Sequence, residues 1–286
     1  MRIYPTAICI PEMTPRRPKT SIFHWLAYVF LVAVTGWIGW ELFGTPGPIP
    51  INPETMCPTR AGVESVSAVN LILIDRTDPI TEIEASDIRK HLNSFARQSV
   101  VSEKIAVYEI GQAANLSATP RIVLCNPGGA RSDTIEDKMS RNPVSERLFQ
   151  EKFLNGLDRI LREMLVIAPQ ADSPIMELVQ AAVVENLKHG TSNIPRRLII
   201  VSDLMQHSRE YSHYQGLGEQ AFFDGAFFKK VATDLAGIDV RILYIKRLQG
   251  RNKQPEHHVQ FWKKYFERLG ARSFVEIPIE GAAWAK

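Results

Sequence analysis

The chain has 286 residues, of which 45% are hydrophobic, and this content is enough for a packed core and excludes a chain that is disordered throughout. Its 34 lysines and arginines nearly balance 31 aspartates and glutamates, so the formal net charge is only +3. Because the basic residues are scattered along the chain, the composition argues against nucleic-acid binding.

The first element in the chain is an apolar run at residues 21–43, SIFHWLAYVFLVAVTGWIGWELF, which follows a leader at residues 1–20. It contains no charge from Ile22 to Trp40, and a helix of this length spans a hydrocarbon core of about 30 Å. A buried core helix would show a polar face, and a cleaved signal peptide would have a shorter apolar run and a small-residue cleavage site. We therefore predict a transmembrane helix at residues 21–43.

The charges around this helix predict its orientation. Four basic residues precede it, whereas Glu41, Glu54 and Arg60 are the charges in the twenty residues after its charge-free stretch. Under the positive-inside rule, the N-terminus is cytoplasmic and the bulk of the chain lies on the other side. The layout of one anchor and one domain suggests a bacterial inner membrane with a periplasmic C-terminal domain.

Residues 44–64 are rich in proline and lack periodicity, which predicts a stiff extended linker before a domain at residues 65–286. Cys9 lies on the predicted cytoplasmic side. Cys57 and Cys125 are therefore the only pair that an oxidising compartment could join, although two isolated cysteines more often stay unpaired. The sequence leaves this disulfide open.

The domain alternates short apolar strands with helices. Strands are predicted at Val69–Asp75, Lys104–Ile110, Arg121–Cys125, Arg197–Ser202, Val240–Ile245 and Ser273–Ile277. Helices are predicted at Glu84–Gln98, Ser145–Ile167, Pro174–Lys188, Gln220–Ala236 and Gln254–Leu269, with Ser145 and Ser173 as N-caps. Continuously apolar strands separated by helices predict an α/β fold, Rossmann-like and doubly wound, with a mostly parallel sheet.

Oxygen-bearing side chains follow the two most apolar strands. LILID ends at Asp75 and leads into Thr77, whereas LIIVSD ends at Ser202 and Asp203; Ser173 stands just before a predicted helix. Open α/β sheets bind ligands beyond the carboxyl ends of their strands, so we expect these side chains to converge there. The histidines at positions 207, 213, 257 and 258 show no HExxH pattern and are expected at exposed positions.

Three motifs resemble the metal-site loops of the von Willebrand factor A (VWA) superfamily. They are DRT at residues 75–77, SPIMELV at residues 173–179 and LIIVSDL at residues 198–204. The resemblance covers about residues 65–277, and it implies a VWA-like fold that serves protein recognition rather than catalysis.

The resemblance also implies a metal-ion-dependent adhesion site (MIDAS). Asp75, Thr77, Ser173 and Asp203 would hold Mg²⁺ or Mn²⁺, and an acidic residue of a protein partner would complete the coordination. Such hard cations prefer oxygen ligands. One position departs from the family pattern, because Pro79 stands where the first loop has its second serine.

Each site residue also has a structural interpretation: Asp75 as a helix cap or Asx-turn residue, Thr77 as an ordinary turn residue, Ser173 as an N-cap, and Asp203 as an acceptor of backbone N–H groups. The predicted function is a membrane-anchored VWA-like protein-interaction domain that is not an enzyme. A metal-dependent hydrolase is the first alternative, but the sequence lacks the expected general base and phosphate-binding lysine. A metal-free structural scaffold is the second alternative, which Pro79 keeps open.

Overall fold

The computed structural model describes residues 22–43, 50–111, 119–128, 143–166, 171–187, 193–216, 218–247 and 254–279. The chain divides into two units, one ending at Ile49 and one beginning at Pro50.

The first unit contains helix α1 (Ile22–Phe43). Its window Ile22–Gly39 has a mean hydropathy of 1.7, and none of that window is buried. This helix is therefore long and apolar enough to cross a membrane, and its exposed side chains are unlike those of a core helix. The orientation and the compartment stay predictions.

The second unit is built on a six-stranded sheet. A short hairpin of β1 (Thr59–Arg60) and β2 (Val63–Glu64) precedes it. The sheet strands are β3 (Ala68–Asp75), β4 (Glu103–Ile110), β5 (Ile122–Cys125), β6 (Arg196–Ser202), β7 (Ile238–Tyr244) and β8 (Ser273–Pro278). Their order is β5-β4-β3-β6-β7-β8, and every neighbouring pair is parallel except β4 and β5. The predicted doubly wound, mostly parallel sheet is confirmed.

This order places the functional edge. The chain moves from β3 outward to β4 and β5, and then returns to the other side of β3 to form β6, β7 and β8. The order therefore reverses between β3 and β6, and the crevice beyond their carboxyl ends is where ligands bind in such sheets. All eight residues of β3 are buried, as expected of a central strand with both faces covered.

Helices cover both faces of the sheet. They are α2 (Glu82–Arg97), α3 (Pro143–Leu148), a π-helix (Phe149–Leu154), α4 (Asn155–Met164), α5 (Ile175–Asn186), α6 (Glu219–Asp224), α7 (Ala226–Val231) and α8 (His258–Arg268). One core joins α2, the π-helix and α4 to the sheet, with Ile72 and Ile74 of β3 at its centre. The other core joins the helices α5, α6, α7 and α8 to the opposite face of the sheet, which includes Leu71 and Leu73 of β3.

Four helix predictions need correction. Ser145 lies inside α3 rather than at its cap. Pro174 is the N-cap of α5, and no side chain there makes a capping hydrogen bond, so Ser173 is not the cap. The helix predicted at Gln220–Ala236 is divided at Gly225, where the backbone is extended. The last helix begins at His258, because the side chain of Gln254 instead bonds loop backbone.

The predicted linker is wrong for residues 50–64, whereas residues 44–49 lie outside the described part of the chain. Met56 and Cys57 are buried, and Cys57 forms a disulfide with Cys125 of the edge strand β5. The N–H of Cys125 donates to the carbonyl of Thr55 at 2.8 Å. This N-terminal arm (residues 50–64) is therefore fastened to the last residue of the edge strand β5, where it satisfies a backbone N–H that the sheet leaves unpaired.

Candidate functional site

Asp75, at the end of the central strand, gathers the oxygen-bearing side chains. Its Oδ1 accepts hydrogen bonds from the N–H and the hydroxyl of Thr77, at 3.0 and 2.7 Å. Its Oδ2 accepts from the hydroxyls of Ser173 and Ser202, at 2.9 and 2.7 Å. Three of the four predicted ligand residues thus meet at one point, across up to 98 residues of sequence.

Backbone pairing explains this convergence. Strands β3 and β6 are neighbours in parallel register, so Ser202 ends beside Asp75. Ser173 is fixed by two backbone hydrogen bonds with His207, at 2.7 and 2.9 Å, which join the loop before α5 to the loop after β6. Ser173 therefore positions the Asp75 carboxylate rather than capping a helix.

Asp203, the fourth predicted ligand, is 3% exposed and only half satisfied. Its Oδ1 accepts the N–H of Met205 at 3.0 Å, as the structural interpretation anticipated. Its Oδ2 is buried and accepts no hydrogen bond within the described part of the chain. A buried carboxylate oxygen without a donor is costly, so a cation at this position would be stabilising.

The electrostatics of the two carboxyl groups agree with that reasoning. Burial raises the pKa of Asp203 well above its ordinary value, and the negative charges of Asp75 and Asp78 raise it further. Burial also raises the pKa of Asp75, while the hydrogen bonds from its hydroxyl neighbours lower it. The edge therefore holds two adjacent acids whose charge is incompletely compensated.

Arg247, after strand β7, is a site residue that the sequence analysis missed. Its Nη1 donates to Glu84 Oε1 at 2.8 Å, its Nη2 donates to the carbonyl of Pro79 at 2.9 Å, and its Nε lies 3.9 Å from Asp203 Oδ2. Ser202 was also left out of the predicted ligand set, although its place beside Asp203 was a usable signal. Nothing near Arg247 in the sequence indicated that it reaches this edge.

Little space is left between these groups. A cavity of about 10 Å³ lies among the carboxyl groups and the guanidinium. It is lined by Asp75, Asp78, Ile80, Ser202, Asp203, Ile245 and Arg247. A cavity of this size holds about one water molecule at most.

The side chains fit a hard cation in their chemistry. Asp75, Thr77, Ser173 and Asp203 offer only oxygen, and Asp203 Oδ2 has a free ligand position. Among the described residues, no group of three or more His, Cys, Asp and Glu has metal-binding geometry. The four predicted ligands include only two residues of these types, Asp75 and Asp203, together with two hydroxyls. Their role as metal ligands therefore stays a prediction.

A second polar cluster lies beneath the edge and corrects the prediction that its histidines are exposed. His213 and His258 are buried, with 3.1 Å between His213 Nδ1 and His258 Nε2. The hydroxyl of Tyr244 lies 3.1 Å from His258 Nδ1, and Trp262 Nε1 donates to the carbonyl of Leu204 at 3.0 Å. Burial is the main cause that lowers the pKa of His213 to about 3 and that of His258 to about 4. Both rings are therefore neutral at physiological pH.

No protein-family model and no curated protein matches this chain. The solved structures similar to it include VWA domains. BatB from Bacteroides thetaiotaomicron is 11% identical, over 76% of this chain and 93% of that one, with a TM-score of 0.38. The SpRpn10 VWA domain is 13% identical, over 75% and 90% of the two chains, with a TM-score of 0.36.

A third similar structure is proximal thread matrix protein 1 from the mussel byssus, with a zinc-occupied MIDAS motif. It is 6% identical, over 74% of this chain and 41% of that one, with a TM-score of 0.36. This chain therefore spans less than half of that protein. The strand order defines the class of the second unit as a doubly wound, mostly parallel α/β domain.

Proposed function

We propose that this protein is a membrane-anchored VWA-like domain that recognises a partner protein at the carboxyl edge of its sheet. Asp75, Thr77, Ser173 and Asp203 would hold Mg²⁺ or Mn²⁺ there, and an acidic residue of the partner would complete the coordination. The observation that supports this most is the unsatisfied oxygen of Asp203 beside a cluster of hydroxyls that all point to Asp75.

The hydrogen bonds set the roles of these residues. Thr77 and Ser173 donate their protons to Asp75, so the lone pairs of their oxygens stay available to a cation. Asp203 would contribute the oxygen that accepts no hydrogen bond within the described chain. A bound divalent ion would supply positive charge that attracts a partner carboxylate, and hard cations readily accept such an outside ligand.

The proposed location is a bacterial inner membrane, with α1 as a single-pass anchor, the N-terminus in the cytoplasm and the domain in the periplasm. The basic residues before α1 favour this orientation. The Cys57–Cys125 disulfide also fits an oxidising compartment. A reporter enzyme fused after Lys286 tests the orientation, because a reporter that works only in the periplasm should be active, and cytoplasmic activity would reverse the assignment.

A metal-free scaffold is the second candidate, and one observation favours it. The guanidinium of Arg247 already contributes a positive charge 3.9 Å from Asp203 and donates to Pro79, the residue that replaces a serine of the family pattern. If the protein is a metal-free scaffold, the carboxyl edge of its sheet is stable without metal, and partner recognition does not depend on divalent ions. The metal-dependent hydrolase gains no comparable support.

Metal titration of the full chain in detergent separates these candidates. At a Mn²⁺ concentration ten times its Kd, binding stabilises the folded state by about 1.4 kcal/mol and should raise Tm by about 3–6 °C. The Ser173→Ala and Asp203→Asn variants should lose this shift. The Asp239→Asn variant should keep the Tm shift, because it removes a carboxylate of β7 that pairs with Arg272 and is not a predicted metal ligand.

Partner capture tests the recognition part of the proposal. Proteins retained by the full chain from native membranes in Mg²⁺ should be released by a chelator, and they should be absent when Ser173→Ala is the bait. Retention that is equal with and without divalent ions would favour the metal-free scaffold. No Tm shift at millimolar Mn²⁺, in the parent or in an Arg247→Gln variant, would remove the cation from the proposal.

A further inference from the structure

Arg247 lies beside Asp203 at the carboxyl edge and lines the small cavity there. Its guanidinium contacts three parts of the chain: the loop after β3 through Pro79, the first turn of α2 through Glu84, and the end of β6 through Asp203. The Arg247 and Glu84 side chains are only 16% and 6% exposed. A charge pair this well buried is held more firmly than a surface ion pair.

The partners of Arg247 are themselves fixed. Glu84 forms a capping box with Thr81: Glu84 Oε2 accepts the N–H of Thr81 at 2.7 Å, and Thr81 Oγ1 accepts the N–H of Glu84 at 3.2 Å. Gln254 accepts the backbone N–H of Arg247 at 2.6 Å and donates to the carbonyl of Asp203 at 3.2 Å. The guanidinium is therefore positioned from both ends, by its ion pair and by its own backbone.

Pro79, which stands where the family pattern has a serine, is also one of the residues that Arg247 contacts. At the position where a serine hydroxyl is missing, the backbone carbonyl is used as an acceptor by Arg247. Pro79 thus offers no side-chain oxygen to a metal, but its carbonyl helps to hold the positively charged guanidinium of Arg247. The cavity of about 10 Å³ beside Arg247 leaves no room for a cation that keeps several waters, as Mg²⁺ usually does.

We propose that Arg247 is the resident cation of this edge, and that its guanidinium and a divalent cation occupy the space beside Asp203 in a mutually exclusive way. This inference rests on the proposed function, because it names how access to the same site is regulated. Binding of Mg²⁺ or Mn²⁺ requires Arg247 to swing away from Asp203 and from the carbonyl of Pro79. The closed edge is the resting state, and the affinity for metal is set by the contacts that hold Arg247.

A purely structural ion pair between Arg247 and Glu84 would behave differently. Its loss would lower stability without changing the affinity for metal beyond a general charge effect. Arg197 provides the matched control, since it pairs with the buried Glu103 at 2.8 Å and donates to Asn70 Oδ1 at 3.0 Å. Arg197 thus has the same kinds of contact as Arg247, but it lies near the start of β6, whereas Asp203 follows the end of that strand.

The test is Mn²⁺ binding to the full chain in detergent, measured by the electron paramagnetic resonance signal of the free ion. The Arg247→Gln variant should bind Mn²⁺ at least about tenfold more tightly than the parent, which corresponds to about 1.4 kcal/mol. The Arg197→Gln variant should differ from the parent by less than about threefold. Adding Asp203→Asn to Arg247→Gln should abolish the gain.

A second variant covers the case in which Arg247→Gln does not fold. The double variant Glu84→Gln, Arg247→Met removes both charges of the pair, keeps an acceptor for the capping box, and should show the same gain in affinity. Equal affinities in the parent and in these variants would overturn the exclusion by Arg247 and leave the proposed cation site standing. No binding in any variant would overturn both.

Discussion

Removal of the Cys57–Cys125 disulfide should destabilise the domain strongly. The bond closes a loop whose ends are 68 residues apart. In the chain-entropy account, a cross-link across such a loop restricts the unfolded chain by about 15 cal/mol/K, or about 4 kcal/mol at 25 °C. At about 2–4 °C per kcal/mol for a domain of this size, we expect the double variant Cys57→Ala, Cys125→Ala to lose about 8–16 °C in Tm.

The assay is thermal unfolding of the full chain in detergent, with and without dithiothreitol. The reductant should lower the Tm of the parent to that of the double variant and leave the double variant unchanged. Cys9→Ala is the matched control and should behave like the parent in both conditions. A parent Tm that does not respond to the reductant, with the bond shown to be reduced, would refute the reasoning.

Three further predictions follow from the buried polar groups. His213 and His258 have pKa values lowered from 6.5 to about 3 and about 4, so the unfolded chain binds protons that the folded one does not, and stability should fall as pH drops from about 6.5 towards 4. Urea unfolding should show a slope of about 1.4 kcal/mol per pH unit for each histidine, which His213→Leu should reduce; an unchanged slope would contradict this. Asp203 has a raised pKa, so its contribution to stability is lost as pH rises above the ordinary aspartate range. In chelator, Asp203→Asn should therefore raise the free energy of unfolding at neutral pH by about 1–3 kcal/mol, and a decrease would refute the account. Ser202→Ala should lower it by about 1–3 kcal/mol, because Asp75 loses a 2.7 Å donor; a loss under about 0.5 kcal/mol would argue against that role.

The sheet could be predicted from the sequence because its strands are buried on both faces. A strand such as β3 is almost continuously apolar, so its range, Ala68–Asp75, differs from the prediction by one residue. The N-terminal arm was predicted as a linker because proline indicates turns and carries no information on tertiary contacts. Its burial depends on a disulfide partner 68 residues away.

The site residues at the ends of strands could be predicted from the sequence, because the strand order alone decides where those residues lie. Asp75 ends β3 and Asp203 follows the neighbouring parallel strand β6, so both lie at the edge where the strand order reverses. The contact of Arg247 with Glu84 joins residues 163 apart and depends on the path of a loop rather than on a strand end. No local pattern encodes such a contact, which is why the positive charge of this edge emerged only with the structure.

The covalent link between the arm and the edge strand also has a mechanical consequence. Tension on the chain ahead of Cys57 passes through the sulfur atoms directly into Cys125, bypassing residues 58–124. Pulled straight, that stretch would lengthen the chain by about 230 Å. With the bond intact none of this length can be released, so a load applied ahead of Cys57 reaches β5 without drawing β3, β4 or the loop after Asp75 out of the fold.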